Sequence, residues 1–191
     1  MRYGPGHKEE ARARIIEAAG RGFRRQGFGG IGVDGLAKEA SVTSGAFYGH
    51  FKSKDAAFEA VIQVGIRKLR DSILAHRAEH GADWLSVYAR LYMTDRRTCD
   101  LAESCALQSL TPDVQRASPE IRGTFAAEVR EVVQAVAEGL EGTEPADRER
   151  RAWAILAMLS GGVTLARSMS DPATGEAIAE GVMATISKLA G

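Results

Sequence analysis

Apolar residues recur at helical spacing along almost the whole chain. Ile15, Ala18, Ala19, Gly22 and Phe23, for example, follow one another at intervals of three or four residues or as neighbours, which is typical of an amphipathic helix. The same spacing predicts about nine helices, at about 8–26, 33–40, 44–50, 54–79, 83–96, 101–110, 118–141, 146–170 and 173–190. No segment alternates apolar and polar residues between turn residues, as a half-buried strand would. We therefore expect an all-α fold.

Glycine and proline residues indicate where several of these helices end. Gly27, Gly81 and Gly142 stand near the ends of apolar-periodic segments, where glycine commonly closes a helix. Proline disrupts a helix interior. We therefore expect the sixth helix to stop at Thr111-Pro112 and the eighth at Asp171-Pro172.

The segment Val33–Asp55, VDGLAKEASVTSGAFYGHFKSKD, is the most informative part of the chain. It predicts two short helices joined by a tight turn at Ser41-Val42-Thr43, with Val42 as an apolar plug and Thr43 as the cap of the second helix. Ser41 would cost about 1 kcal/mol if the turn requires a left-handed backbone. We interpret the segment as a helix-turn-helix.

The second helix of this segment combines neutral hydrogen-bond donors with lysines. Ser44, Tyr48 and His50 supply a hydroxyl, a phenol and an imidazole, and Lys52 and Lys54 follow directly. Such a helix suits the major groove of DNA, with phosphates held on either side. At this point Tyr48 and His50 as satisfied core groups remain an alternative.

The charge distribution favours the same interpretation. The chain is neutral overall, but residues 1–54 hold ten basic against five acidic residues, and residues 55–191 hold fifteen against twenty. A basic end suits a contact with phosphate. No apolar run approaches the roughly 20 residues of a membrane span, and the N-terminus has no signal-peptide pattern. We therefore expect a cytoplasmic protein with no membrane partner.

At these residues the chain resembles the tetracycline-repressor (TetR) family of regulators. The resemblance rests on Gly27-Phe28, Val33-x-x-Leu36-Ala37, Ala40-x-Val42-Thr43 and Gly45-Ala46-Phe47-Tyr48-Gly49-His50-Phe51-x-x-Lys54. It implies a three-helix DNA-binding head at residues 1–53 and a helical ligand-binding and dimerisation bundle at residues 54–191. It also implies a homodimer, a near-palindromic double-stranded DNA operator, and a small-molecule inducer of unknown identity that releases a repressor.

The resemblance further implies roles for individual residues. The residues that it places on the DNA-facing side are Thr43, Ser44, Ala46, Tyr48 and His50. Tyr48, His50 and Lys54 match positions that contact backbone phosphate, and Gly45 matches a glycine that lets the backbone come close.

Three departures from the family pattern leave a second function open. Ile31-Gly32 replaces a pair of hydroxyl residues, Ser41 replaces a turn glycine, and Gly49 lacks the side chain that often reaches a base. A family relative that has lost DNA binding and serves as a partner-binding module is therefore the alternative hypothesis.

A second group of residues is predicted to line a ligand cavity, with ordinary core packing as the alternative for each. They are Trp84, Tyr88, Tyr92, Cys105, Phe125, Val129 and Met158. Cys105 opens the sixth predicted helix, where the helix dipole stabilises a thiolate. Thiol sensing is thus one hypothesis for Cys105, and a small buried hydrophobe is the other.

The last two long helices are predicted to form the dimer interface, with intramolecular packing as the alternative. The residues assigned to it are Trp153, Leu156, Leu159, Val163, Ile178, Val182 and Ile186. Small residues such as Gly161 and Gly181 would permit close helix approach, and four such helices from two chains form a bundle.

An all-helical enzyme is the competing class of protein. The sequence has no nucleophile–base pair, phosphate-binding loop or metal-binding motif, and its two cysteines are too few for a disulfide scaffold. We therefore expect no catalytic residue, no metal and no cofactor.

Overall fold

The fold is given by a computed structural model that describes residues 5–190. Its α-helices are α1 (Pro5–Gly30), α2 (Val33–Glu39), α3 (Ser44–Tyr48), α4 (Lys54–His80), α5 (Trp84–Thr98), α6 (Ala106–Val114), α7 (Pro119–Ala137), α8 (Pro145–Ser168) and α9 (Pro172–Leu189). Short 3-10 turns lie at Gly81–Asp83 and Leu101–Glu103. The described residues contain no strand, so the predicted all-α class is confirmed. None of the described helices has the length and apolar character needed to cross a membrane.

The chain divides into two compact units. The first consists of residues 1–65 with 101–125, and the second of residues 66–100 with 126–191. The first unit therefore contains the predicted head together with the start of α4 and the segment around α6. The predicted domain boundary at residue 53 stays a prediction.

Aromatic packing forms the core of the first unit. Phe23, Phe47 and Phe58 are almost completely buried. The rings of Phe23 and Phe58 meet edge to face with centroids 5.1 Å apart, and those of Phe47 and Phe51 lie 5.4 Å apart. Burying each such side chain stabilises the fold by about 2 kcal/mol. Phe47 therefore fixes α3 to the rest of the unit.

Ile31 fills a notch that two glycines create. A Cβ atom at Gly22 would lie 2.7 Å from Ile31 Cδ1, and one at Gly35 would lie 2.8 Å from Ile31 Cγ1. Ile31 itself is buried, and Gly32 is the N-cap of α2 without a side-chain hydrogen bond. This departure from the family pattern thus replaces a polar cap with apolar packing.

The segment around α6 is hydrogen-bonded to α1. Gly27 interrupts α1 with φ 73°, close to the predicted helix end, and the next amide, the N–H of Phe28, donates to the carboxylate of Asp113 at 2.9 Å. The Arg24 guanidinium donates to the carbonyl oxygen of Ala102 at 3.2 Å. Both contacts lie within the first unit, and Asp113 satisfies an amide that the helix break would otherwise leave exposed.

Two predicted helix ends are wrong. α6 does not stop at Thr111-Pro112 but continues to Val114, because Leu110 and Val114, one turn apart, are both buried while Pro112 lies on the exposed side. α7 ends at Ala137, four residues early, and the chain reaches Gly142 through a turn.

The second unit depends on close helix contact and one ion pair. A Cβ atom at Gly162 would lie 2.9 Å from Val182 Cγ2 and 3.1 Å from Met93 Cε, so α8 approaches both α9 and α5 closely. Arg67 on α4 donates from Nε and Nη2 to the buried carboxylate of Glu128 on α7. The hydrogen bond and charge of Glu128 raise the pKa of the Arg67 guanidinium.

The turn before α3 requires a left-handed residue. Ser41 has φ 54°, its N–H donates to the Lys38 carbonyl oxygen at 3.0 Å, and the N–H of Val42 donates to the Ala37 carbonyl oxygen at 2.9 Å. These bonds close the C-terminal end of α2. They hold Ser41 in a left-handed backbone conformation, which is unfavourable for any residue that has a Cβ atom.

We predict that Ser41→Gly raises the free energy of unfolding by about 1 kcal/mol, because glycine adopts a left-handed backbone without strain. Chemical denaturation measures the change. The matched control is Ser86→Gly, at an exposed position inside α5, where glycine should lower stability. Equal effects of the two substitutions would contradict the assigned strain.

Candidate nucleic-acid interface

The start of α3 is fixed by two side-chain hydrogen bonds. Thr43 is the N-cap, and its Oγ1 accepts the N–H of Ala46 at 3.1 Å, which confirms the predicted cap. The hydroxyl of Ser44 donates to Asp34 Oδ1 at 2.6 Å. Since Asp34 lies in the first turn of α2, the second bond joins the two helices of the helix-turn-helix.

The side of α3 away from Phe47 is open. Tyr48 is 54% exposed, so it is not a core residue, and Gly45 and Ala46 are exposed as well. A Cβ atom at Gly45 would meet only Thr43 Oγ1, at 3.9 Å. Packing within the chain therefore does not require glycine at position 45.

His50 lies at the edge of this face and is half-buried. Its N–H donates to the Phe47 carbonyl oxygen at 2.9 Å. The ring Nδ1 is buried and has no hydrogen-bond partner among the described residues. The Nδ1 edge of the imidazole is therefore closed to a ligand outside the chain.

Cations surround the same region of the first unit. Lys54 begins α4, and its ammonium group lies 4.2 Å from the ring centroid of Phe28. The guanidinium of Arg12 lies 5.0 Å from the ring centroid of Phe51, and Lys52 is exposed. A cation held over an aromatic face keeps its charge while losing mobility, which suits a contact with a phosphate.

The structure distributes the predicted ligand-lining residues over both units. In the second unit Trp84, Tyr88, Tyr92 and Val129 are buried and Met158 is half-buried; in the first unit Cys105 and Phe125 are half-buried. The indole N–H of Trp84 donates to the Gly139 carbonyl oxygen at 2.8 Å, and a Cβ atom at Gly139 would lie 2.9 Å from the indole. Trp84 thus packs, as a core residue, against the turn that follows α7.

A histidine that sequence reasoning missed joins the aromatic residues of α5. The ring centroid of His76 lies 5.2 Å from that of Tyr88, which in turn lies 6.0 Å from that of Tyr92. His76 stands in a charged stretch of α4, and no local sequence pattern indicates its neighbour on α5.

Cys105 lies at the start of the sixth helix, as predicted, and is its N-cap. The helix itself begins at Ala106, later than the predicted start near residue 101. Its carbonyl oxygen accepts both the N–H and the hydroxyl of Ser109. Cys105 and Cys99 are free thiols and belong to different units. Within residues 5–190, no three His, Cys, Asp or Glu side chains are grouped so that they could hold a metal ion.

The predicted dimer residues differ in exposure. Leu156, Leu159, Val163 and Ile186 are buried within the chain itself, Ile178 and Val182 are half-buried, and Trp153 is 43% exposed. These four buried residues therefore contribute to the packing of α8 and α9 within the chain. The exposed residues of α8 include a stripe with a spacing of four residues, Trp153, Ala157, Gly161 and Leu165, which we call the α8 stripe.

A short helix that turns a phenol, small residues and nearby lysines outward beside α2 is the arrangement of a helix-turn-helix. The family model for bacterial regulatory proteins of the tetR family matches residues 15–61, which include α2 and α3. The match covers 47 of the 191 residues of the chain. Over this segment the chain is similar to the tetR family.

Two curated relatives agree with this assignment. The chain is 31% identical over 104 residues to the uncharacterized HTH-type transcriptional regulator YfiR of Bacillus subtilis, a match of 52% of this chain and 48% of YfiR. It is 34% identical over 79 residues to the HTH-type transcriptional regulator AcrR of Shigella flexneri, covering 41% of this chain and 37% of AcrR. The chain thus matches about half or less of the length of these relatives.

The fold is that of solved regulators over nearly the whole chain. The crystal structure of reduced Escherichia coli NemR aligns with a TM-score of 0.78 at 18% identity, covering 94% of this chain and 96% of NemR. At this identity the likeness concerns the fold alone.

We predict that Thr43→Val lowers the free energy of unfolding by about 1 kcal/mol, because valine has a similar shape but cannot cap the N–H of Ala46. Thr43→Ser keeps the oxygen and should stay within a few tenths of a kcal/mol of the wild type. Thermal or chemical denaturation of both variants tests the cap. Equal stabilities of the valine and serine variants would argue against it.

Proposed function

We propose that the chain is a transcriptional repressor that binds near-palindromic operator DNA as a homodimer and is released by a small molecule. As a regulator of chromosomal genes it acts in the cytoplasm. The observation that carries the proposal is the outward face of α3, with Tyr48 exposed and open space where a side chain at Gly45 would stand, within the part of the chain that matches the family model.

The groups around α3 suit a phosphate backbone on both sides of the helix. The Tyr48 hydroxyl and the other edge of the His50 ring supply neutral donors, and Lys54 and Lys52 supply charge. Contacts of this kind fix the register of a helix in the major groove without reading sequence. Gly45 allows the backbone of α3 to approach the groove.

The departures from the family pattern favour DNA binding over the alternative of a partner-binding module. Ile31 has a packing role between Gly22 and Gly35, and Ser41 adopts the conformation that the turn needs. Both residues therefore preserve the geometry of the helix-turn-helix, and neither blocks its outward face.

A dimer is needed because one short helix makes too few contacts for specific binding, whereas two heads read two half-sites. The α8 stripe supports this part of the proposal. Trp153 and Leu165 are 43% and 57% exposed, and the exposed Ala157 and Gly161 between them leave room for the backbone of a second helix. Burial of this stripe against its own copy would remove apolar surface from water.

The small-molecule site is assigned to the helical body outside the head, with Tyr88, Tyr92 and the neighbouring His76 as its aromatic candidates. A ligand that releases DNA must bind the DNA-free protein more tightly than the DNA-bound protein. By linkage, bound DNA lowers the affinity of the protein for the ligand by the same factor.

We predict that Tyr48→Ala and Lys54→Ala weaken binding to the duplex DNA that lies upstream of the gene. Because both residues contact phosphate, binding to other duplex sequences should weaken to a similar extent. Lys54→Ala should also reduce the slope of log Kd against log salt by about one. Fluorescence anisotropy at several salt concentrations gives both quantities.

The control for these variants is Lys188→Ala, which removes an exposed lysine near the end of α9. It should leave affinity and slope unchanged. An unchanged slope for Lys54→Ala would refute its phosphate contact, and a wild-type protein that binds no upstream or selected DNA would favour the partner-binding module.

We predict that Leu165→Glu converts the dimer to a monomer and weakens operator binding at least tenfold, because a carboxylate in an apolar interface loses hydration without a partner. Light scattering after size exclusion gives the mass. Leu74→Glu is the control, since Leu74 on α4 is similarly exposed, at 41%. A dimer that survives Leu165→Glu would place the interface elsewhere.

A further inference from the structure

The centre of the outward face of α3 is nearly bare of side chains. At 100° per residue, Gly45 and Gly49 lie about 160° around the helix from the buried Phe47, and Ala46 lies about 100° from it. Gly49 keeps a helical backbone with φ −65° and ψ −19°, so the same count applies to it. All three residues are exposed.

The same helix offers no group that reads a base by two hydrogen bonds. Such contacts come chiefly from Arg, Lys, Asn and Gln, and α3 with its caps, residues 43–49, contains none of them. The Ser44 hydroxyl already donates to Asp34. Gly45 and Gly49 form the centre of the face, with Ala46 and Tyr48 on either side of it. The methyl group of Ala46 is therefore the only side-chain group that Gly45, Ala46 and Gly49 offer.

We infer that Ala46 reads thymine: its methyl group packs against the 5-methyl group of a thymine in each operator half-site. The inference rests on the proposed function and specifies what the site recognises. Gly45 and Gly49 make the contact possible, because a helix without side chains at these positions comes closer to the base edges. Apolar contact with the thymine methyl is an established form of major-groove readout.

The expected effect follows from the size of one methyl group. Removing a buried methyl weakens binding about fourfold, and it does so only at the thymine that faces Ala46. Phosphate contacts, in contrast, are insensitive to base identity.

The experiment uses duplex DNA that the full-length wild-type protein selects from a random pool. Each thymine of the selected duplex is replaced in turn by deoxyuridine, symmetrically in both half-sites, and binding is measured by anisotropy. We expect one thymine per half-site at which the symmetric replacement weakens wild-type binding about sixteenfold, about fourfold for each of the two half-sites, with little change elsewhere.

The variant Ala46→Gly should bind the thymine and deoxyuridine duplexes equally at that position. Ala127→Gly, at an exposed site inside α7, loses the same helix propensity and should keep the wild-type preference. Since the preference is a ratio for one protein, a general loss of stability in Ala46→Gly does not change it.

Three results would overturn the inference. Deoxyuridine without effect at every position would exclude a methyl contact, and a preference that persists in Ala46→Gly would assign the contact to another residue. The third result concerns guanine. If replacing a selected guanine by 7-deazaguanine weakens binding and no thymine replacement does, the protein reads its operator through polar contacts instead. A pool with no enrichment at all would instead refute the proposed function itself.

Discussion

The burial of Phe47 is the constraint on which the proposed DNA-binding surface depends. Its side chain is completely buried and packs against Phe51, so the opposite side of a helix of only five residues must face outward. So short a helix has little stability of its own. The left-handed turn at Ser41 and the cap at Thr43 determine where this helix begins, and Phe47 determines which way it faces.

Much of the fold could be predicted from the sequence because most helices have one apolar face, and helical spacing reveals that face directly. The ends were harder to predict. Pro112 is a strong local signal for a helix end, yet α6 passes it because buried residues on both sides of the proline favour the helix. Local preference is a weak guide wherever tertiary packing competes with it.

In the candidate site, too, some features follow from neighbouring residues and others only from contacts between separate elements. Thr43 and Tyr48 could be assigned from neighbouring residues, since a cap and an exposed helix position depend on spacing alone. Three other contacts join residues on different elements: the bond from Ser44 to Asp34, the bond from Phe28 to Asp113 and the packing of His76 on Tyr88. Apolar spacing on α8 likewise reveals a buried face, but only the packed structure distinguishes the exposed α8 stripe from the residues that support it.

The absence of a side chain at Gly49 has an evolutionary consequence. Its backbone is ordinary right-handed helix, so another amino acid can take the position without left-handed strain. The atoms nearest to a Cβ atom there would be backbone atoms of the preceding turn, the carbonyl oxygen of Ala46 at 3.2 Å and that of Gly45 at 3.7 Å. A single codon change can therefore add a base-reading group without disturbing the core. After gene duplication, one copy could acquire a new set of target promoters while both copies keep the same fold and the same inducer.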